Sequence, residues 1–284
     1  MSRKIPFDDW LDQFDVTINS LEEELATMVG FQQRSSQPSG NTFQSIYESR
    51  RLIEEILLSG EKERRPLVFD LLAGHGNLAV YLARDHDVDI IAVDKSFRNM
   101  RGINKRARDY ALEEIRTKRL NLLKHSFVKA VGPEEMSQRD YGVLSMHCCG
   151  SLADVIIKQI LQQDRYKPKM VGLLPCCYYK TEPQLLLDNY VTSEDSAFAS
   201  VDGAAKFACL AMGMNLSASA HHLRGVTGEQ RSLLFGRLGK AKDLIDYMRV
   251  KGLENDGYAV RTVTIIDDAS SFRMIQASSG GFRQ

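Results

Sequence analysis

Apolar residues recur at helical spacing over residues 7–29, where Phe7, Trp10, Phe14, Ile18, Leu21, Leu25 and Met28 share one face behind Pro6. This predicts an amphipathic helix that packs on the core or covers a cleft. A loop rich in Ser, Pro, Gly and Asn follows over 33–41. A second helix is expected over about 43–59, with Ile46, Leu52, Ile53, Ile56 and Leu57 on its apolar face and Gly60 as C-cap. The pattern then changes. The run Leu67-Val68-Phe69 ends in Asp70, a glycine loop holds Gly74 and Gly76, Leu78, Tyr81 and Leu82 repeat at helical spacing, and the run Ile90–Val93 ends in Asp94. A basic helix is predicted from Phe97 to about Leu120, a strand over 122–130, and a strand over 142–146 that ends in His147-Cys148-Cys149-Gly150. Ser151 then caps a helix that runs to about Gln163, with Asp154 in the place of the capping-box acid. A further strand over 170–174 ends in Pro175-Cys176-Cys177-Tyr178-Tyr179. Strand and helix alternate throughout, as in a parallel, doubly wound α/β sheet with right-handed connections. Such sheets bind ligands at the C-terminal ends of their strands, where Asp70, Asp94 and both cysteine motifs fall.

The remainder is less regular. Helical patterns lie near 203–213 and 227–250, the latter opened by a Thr227/Gln230 capping box. Gly225, Gly228, Gly236 and Gly239 read as turns or close packing, and His221-His222-Leu223-Arg224 falls between the helices. Strands over 260–266 and 272–277 flank the turn 267–271.

The chemistry begins in the loop after the first strand. Glycines let backbone approach a ligand without an intervening Cβ. The free N–H groups of the next helix point at that ligand, and an acid at the end of the second strand can accept both hydroxyls of a ribose. Gly74-x-Gly76-x-x-Ala79 with Asp94 satisfies a dinucleotide fingerprint. Asp70, four residues before Gly74, adds D-x-x-x-G-x-G, and this pattern resembles that of S-adenosylmethionine (SAM) methyltransferases. A pyrophosphate would be repelled by the Asp70 carboxylate. The resemblance implies SAM as cofactor, with Asp70, Gly74 and Gly76 around its methionine end, Asp94 at its ribose, His147 near the methyl group, and Ala73, His75 and Lys95 as further cofactor-binding residues. A purely structural loop is the plain alternative.

Composition sets the class. The 284 residues are 43% apolar and 26% charged, as in an ordinary globular protein, and no apolar run approaches a membrane span. The five cysteines include two adjacent pairs, a poor disulfide framework, so reduced thiols and a cytoplasmic protein are expected. Net charge is zero, but residues 95–130 hold eleven Lys or Arg against Asp109, Glu113 and Glu114. That asymmetry fits an anionic partner, with a solvated helix face as the plain alternative.

The two cysteine motifs carry a closer resemblance. His147-x-Cys149-Gly150 and Cys176-Cys177-Tyr178 are similar to motifs of a Rossmann-like methyltransferase family that includes methyltransferase-like proteins once labelled ribosomal RNA adenine dimethylase-like, and more distantly tRNA 2′-O-methyltransferases. The resemblance covers about residues 45–180. It implies a mostly parallel seven-stranded methyltransferase sheet with N-terminal helices, a helical insertion and a closing antiparallel hairpin. In domain terms, 1–60 would be a helical extension and 61–284 the catalytic domain, with 181–258 as the insertion and a possible substrate region. His147 could serve as general base, and Cys149, Cys176, Cys177, Tyr178 and Lys180 could line the methyl-transfer end. Tyr178 and Tyr179 could instead stack on a base or pack in the core. The cysteines could be buried small hydrophobes, metal ligands or a pyrimidine-attacking nucleophile; their spacing matches no zinc ribbon, and no metal is expected. Glu134 is a candidate for the adenine-binding acid. The expected function is SAM-dependent methyl transfer to RNA. Transfer to a small molecule or protein, or a non-catalytic SAM- or RNA-binding module, are the alternatives.

Overall fold

A computed structural model of the chain describes residues 33–34, 41–59, 64–112, 115–130, 136–163, 166–176, 178, 228–267 and 270–282. The chain divides into two compact units. The larger comprises Gln32–Cys148, Val155–Cys176 and Leu253–Gln284, and the smaller Met1–Phe31, Cys149–Asp154 and Cys177–Gly252. Elements are numbered among the described residues.

One eight-stranded sheet runs in the order β1-β7-β8-β6-β5-β2-β3-β4. β2 (Leu67–Leu71) and β3 (Asp89–Asp94) are interior strands and are buried almost throughout. Continuous apolar runs of this kind suit a parallel sheet covered on both faces. β2 pairs in parallel with β3 and with β5 (Tyr141–Cys149), in registers that set Asp70 beside Ala92 and Leu144. β6 (Met170–Cys176) neighbours β5, and the Lys169 N–H donates to the Tyr141 carbonyl at 2.8 Å, so the two strands start side by side. The hairpin of β7 (Ala259–Asp267) and β8 (Ser270–Ser278) then closes the sheet antiparallel to β6, as expected. A two-residue β1 (Gln33–Arg34) adds an edge parallel to β7, in a stretch expected to be loop.

α1 (Asn41–Leu52) passes into a π-helical turn over Ile53–Leu57, closed by the Leu58 N–H on the Ile53 carbonyl at 3.0 Å. Ile46, Leu52, Ile53 and Leu57 join Val68, Leu144 and Met170 in the sheet's core. Glu55 of that turn pairs with Arg261 of β7 through two bonds of 3.1 and 2.6 Å.

Three sequence expectations are corrected. The basic helix α3 (Phe97–Asp109) stops well before Leu120. Its end is a Schellman motif, with the Leu112 N–H on the Ala107 carbonyl and the Ala111 N–H on that of Arg108, both 2.9 Å. Ala111 takes the left-handed position at φ 55°, where glycine usually signals the stop. The third strand of the parallel run is accordingly β4 (Arg116–Arg119), whereas Phe127–Ala130 is a 3-10 turn. β4 is polar because it is an edge strand, so it carries no apolar signal. Finally, Gly236 and Gly239 lie inside α5 (Gly228–Asn255), which removes the turn from the two readings, turn or close packing. The helix expected over 7–29, the pattern near 203–213, Gly60, Glu134, Thr227 and the His221–Arg224 stretch lie outside the described residues.

In the smaller unit, β5 ends at Cys149 and α4 (Leu152–Leu161) begins. Residues 244–250 of α5 are buried on every side, including Asp246 and Arg249.

Candidate active site

The loop between β2 and α2 (Asn77–Asp85) is built from left-handed backbone. Leu72, Gly74 and Gly76 have φ of 59°, 54° and 74°. For Leu72 this conformation is strained, and strain of this kind gathers at ligand sites. Hydrogen bonds hold the curl: the Ala73 N–H donates to the Val93 carbonyl at 3.1 Å, and the Gly76 N–H to the Ala73 carbonyl at 2.7 Å. The two glycines differ in role. A Cβ on Gly76 would lie 2.3 Å from Ile103 Cγ1, so this glycine lets the start of α2 touch α3. A Cβ on Gly74 would meet only the Leu72 carbonyl at 3.9 Å and otherwise stand in open space.

Asp94 ties the loop to the next helix. Its Oδ2 accepts from the Gly74 N–H at 2.9 Å, and its Oδ1 from the Ser96 N–H at 2.7 Å and Asn99 Nδ2 at 3.2 Å. Ser96 caps α3 by accepting from the Asn99 N–H at 3.3 Å. A carboxylate offers about four acceptor positions, so one remains for a ligand hydroxyl. Ser96 and Asn99 went unread in the sequence, although a serine just before a helical run is a cap signal.

Asp70 is nearly sealed from solvent, and its Oδ2 accepts from the Ala79 N–H at 3.2 Å. Gly76, the N-cap of α2, has no side chain, so Asp70 satisfies one of the helix's first amides from the strand. Burial pushes the Asp70 carboxyl up to about 7; the Ala79 bond opposes the rise and the nearby Asp94 charge adds to it. A buried acid balanced between its two states is poised for a cationic ligand group.

The expected cofactor residues Asp70, Ala73, Gly74, His75, Gly76, Asp94 and Lys95 therefore converge on one loop cluster of the larger unit, with His75 and Lys95 exposed. The residues of the cysteine motifs are divided between the two units. His147 lies on β5, which continues to Cys149 instead of ending before the motif. Cys148 and Cys176 are buried, Cys149 is partly exposed, and none of the three forms a disulfide. Among the described residues no His, Cys, Asp or Glu cluster could hold a metal. Cys177, Tyr179 and Lys180 lie outside the described residues.

Tyr178 belongs to the smaller unit and is buried, so core packing rather than base stacking describes its ring. Its hydroxyl donates to Asp246, 2.9 and 2.8 Å from the two carboxylate oxygens. Asp246 also accepts from Arg249 Nη1 at 3.3 Å, and Asp154 accepts from Arg249 Nε and Nη2, both at 2.8 Å. Asp154 thus serves a buried ion pair in addition to opening a helix. Burial works against the Arg249 cation, but the two carboxylates outweigh it and hold its pKa well above the ordinary value. Sequence reasoning missed Asp246 and Arg249. Their signal was two charges at i and i+3 inside an apolar stretch of helix.

Residues 41–184, just over half of the 284, match a methyltransferase domain family. The chain belongs to that family. The cofactor of this methyltransferase is SAM, the one expected from its sequence, and the open space at Gly74, the remaining acceptor on Asp94 and the poised Asp70 fit it. No curated protein matches the chain. Among solved structures, the methyltransferase aligns with TrmK of M. capricolum in complex with S-adenosyl-homocysteine, at 14% identity over 84% of this chain and 70% of that one, with a TM-score of 0.41. It also aligns with the METTL16 methyltransferase domain, at 10% identity over 97% and 83% with a TM-score of 0.45. A third is magnesium protoporphyrin IX methyltransferase of Synechocystis PCC 6803, at 12% identity over 98% and 89% with a TM-score of 0.42.

Proposed function

We propose that this methyltransferase transfers the methyl group of SAM to RNA in the cytoplasm. The observation that carries the cofactor assignment is the Asp94 carboxylate, which fixes Gly74 and the start of α3 yet keeps an acceptor position for a ribose hydroxyl. In this reading Asp70 receives the amino group at the methionine end, while Ala73, Gly74, His75 and Gly76 form the backbone cradle and Lys95 borders the ribose. His147 lies near the methyl group as proton acceptor. Cys149, Cys176, Cys177, Tyr178 and Lys180 shape or line the transfer end, Tyr178 from its buried position. When bound, SAM supplies an electrophilic methyl group for in-line displacement. The protein's own share is alignment and proton removal. The RNA assignment is supported by the basic segment 95–130 and by the resemblance of the paired cysteine motifs.

Calorimetric titration of SAM into wild type, Asp94→Asn and Asp94→Ala, with NAD as control, tests the site. SAM binding in wild type, weakened at least about tenfold in both variants (about 1.4 kcal/mol), with NAD inert, is expected. Labelled methyl transfer from SAM into an RNase-sensitive fraction tests the substrate. A folded wild type that ignores SAM would overturn the cofactor site, and label in protein or small molecules alone would overturn the RNA assignment.

A further inference from the structure

The cations of the larger unit fall into two groups. Several meet a carboxylate. Arg50 reaches Asp85 at 2.9 Å, Arg65 reaches Asp87 at 2.7 Å, Lys167 reaches Asp256 at 2.7 Å and Arg261 reaches Glu55 at 2.6 Å. Arg139 likewise pairs with Asp89. One face of α3 differs. Arg98, Arg101, Lys105 and Arg108 recur at steps of three and four, so they share one helix face, and all four are exposed. No carboxylate among the described residues pairs with any of them, or with the exposed Lys118 of β4. Arg101 lies 5.7 Å from the ring centre of Phe97, a ring 58% exposed.

Two ordinary explanations cover only part of this. Cations on an edge strand prevent edge-to-edge pairing, which accounts for β4 but not for α3. Cations near a helix C-terminus complement its dipole, which accounts for Arg108 but not for Arg101, nor for Arg98 in the first turn, where the dipole disfavours a cation. Beside this face lies a hollow of about 420 Å³ lined by Asn104 of α3, Arg116, Thr117 and Lys118 of β4, and Ile91 and Ala130. Asn104 sits on the same helix face as Arg101, Lys105 and Arg108. Lys118 and the Thr117 hydroxyl in this hollow are donors suited to phosphate oxygens.

We propose that the exposed face of α3 and the hollow beside β4 grip the phosphodiester backbone of RNA, with Phe97 available to stack on a base. This rests on the RNA reading above and assigns the surface that holds the strand.

The test uses the full chain and a fluorescent, mixed-sequence RNA of about 20 nucleotides, with anisotropy read between about 50 and about 200 mM salt. Lys105→Glu/Arg108→Glu and the milder Lys105→Gln/Arg108→Gln are compared with wild type, with melting temperature and SAM titration as controls for folding. Wild type is expected to bind with a steep salt dependence. The charge reversal should weaken binding at least about tenfold at low salt and flatten the logarithmic salt slope by about 1.4, roughly 0.7 for each lost phosphate contact. The glutamine pair should fall between. If both variants bind RNA with the wild-type affinity and slope, the surface is overturned and the RNA reading stands. If wild type binds SAM but no RNA, or binds an acidic polypeptide in its place, surface and RNA reading fall together.

Discussion

A carboxylate inside a sheet is most stable when something compensates its lost hydration, and Asp70 has one amide bond and a second carboxylate nearby. Its folded pKa of about 7 lies above the ordinary 3.8, so the folded protein holds this proton more tightly than the unfolded chain. Stability therefore falls as pH rises from about 4 to about 7 and stays at the lower level above that. The whole rise corresponds to at most about 4 kcal/mol, at roughly 1.4 kcal/mol per pH unit. Asp70→Asn keeps an acceptor for the Ala79 N–H and removes the ionisation. Urea unfolding at pH 5 and pH 8 should show wild type losing stability with rising pH relative to this variant, which becomes the more stable of the two at pH 8. Equal pH dependence of the two proteins would refute a raised Asp70 pKa. The acid was visible in the sequence as a member of D-x-x-x-G-x-G. Its burial was not, because neither the depth of a residue in a sheet nor the partner of its oxygen is a local property.

At the scale of elements, the β2–α2 connection shows how one motif carries two requirements. Gly74 and Gly76 read alike in the sequence, and both have positive φ. Space separates them: Gly76 faces Ile103 of α3, while Gly74 faces open volume. Gly76→Ala combines left-handed strain with a side-chain clash and should cost about 2–4 kcal/mol, with α2 and α3 forced apart. Gly74→Ala carries the strain alone, about 1–2 kcal/mol, and should fold near normally while losing SAM affinity, because its methyl group would occupy the cradle. Thermal melting and SAM titration on both variants check this. A Gly74→Ala protein that binds SAM as wild type does would remove Gly74 from the cradle. The element order itself was legible because β2, β3 and β6 are solid apolar runs and the hairpin strands are well bounded. Two features hid the β4 region: Ala111 stops α3 where a glycine would have announced the end, and Arg116–Arg119 has no apolar side to read.

At the scale of the whole chain, some of the contacts between distant residues are polar. Within the smaller unit Arg249 joins Asp154, 95 residues away, and Asp246 accepts from Tyr178, 68 residues away. Pairings at such separations leave no periodic trace, so the sequence displayed Tyr178 as part of a motif and gave no sign of what its hydroxyl meets. This buried cluster brings Asp154, Asp246 and the Tyr178 hydroxyl around Arg249. Such a cluster tolerates complete replacement better than partial loss, because each remaining charge is stranded without water. Arg249→Ala should lower the unfolding free energy by roughly 3–5 kcal/mol, having left two carboxylates without their cation. Exchanging the trio together, Arg249→Met with Asp154→Leu and Asp246→Leu, should come within about 2 kcal/mol of wild type, the residual cost being the lost Tyr178–Asp246 hydrogen bond at roughly 1–2 kcal/mol. Adding Tyr178→Phe to the triple variant should recover that part. Chemical denaturation of the four proteins measures each step. If the triple variant is no more stable than Arg249→Ala alone, the cluster contributes net stability as a charged unit, and its worth lies in the ion pairs themselves.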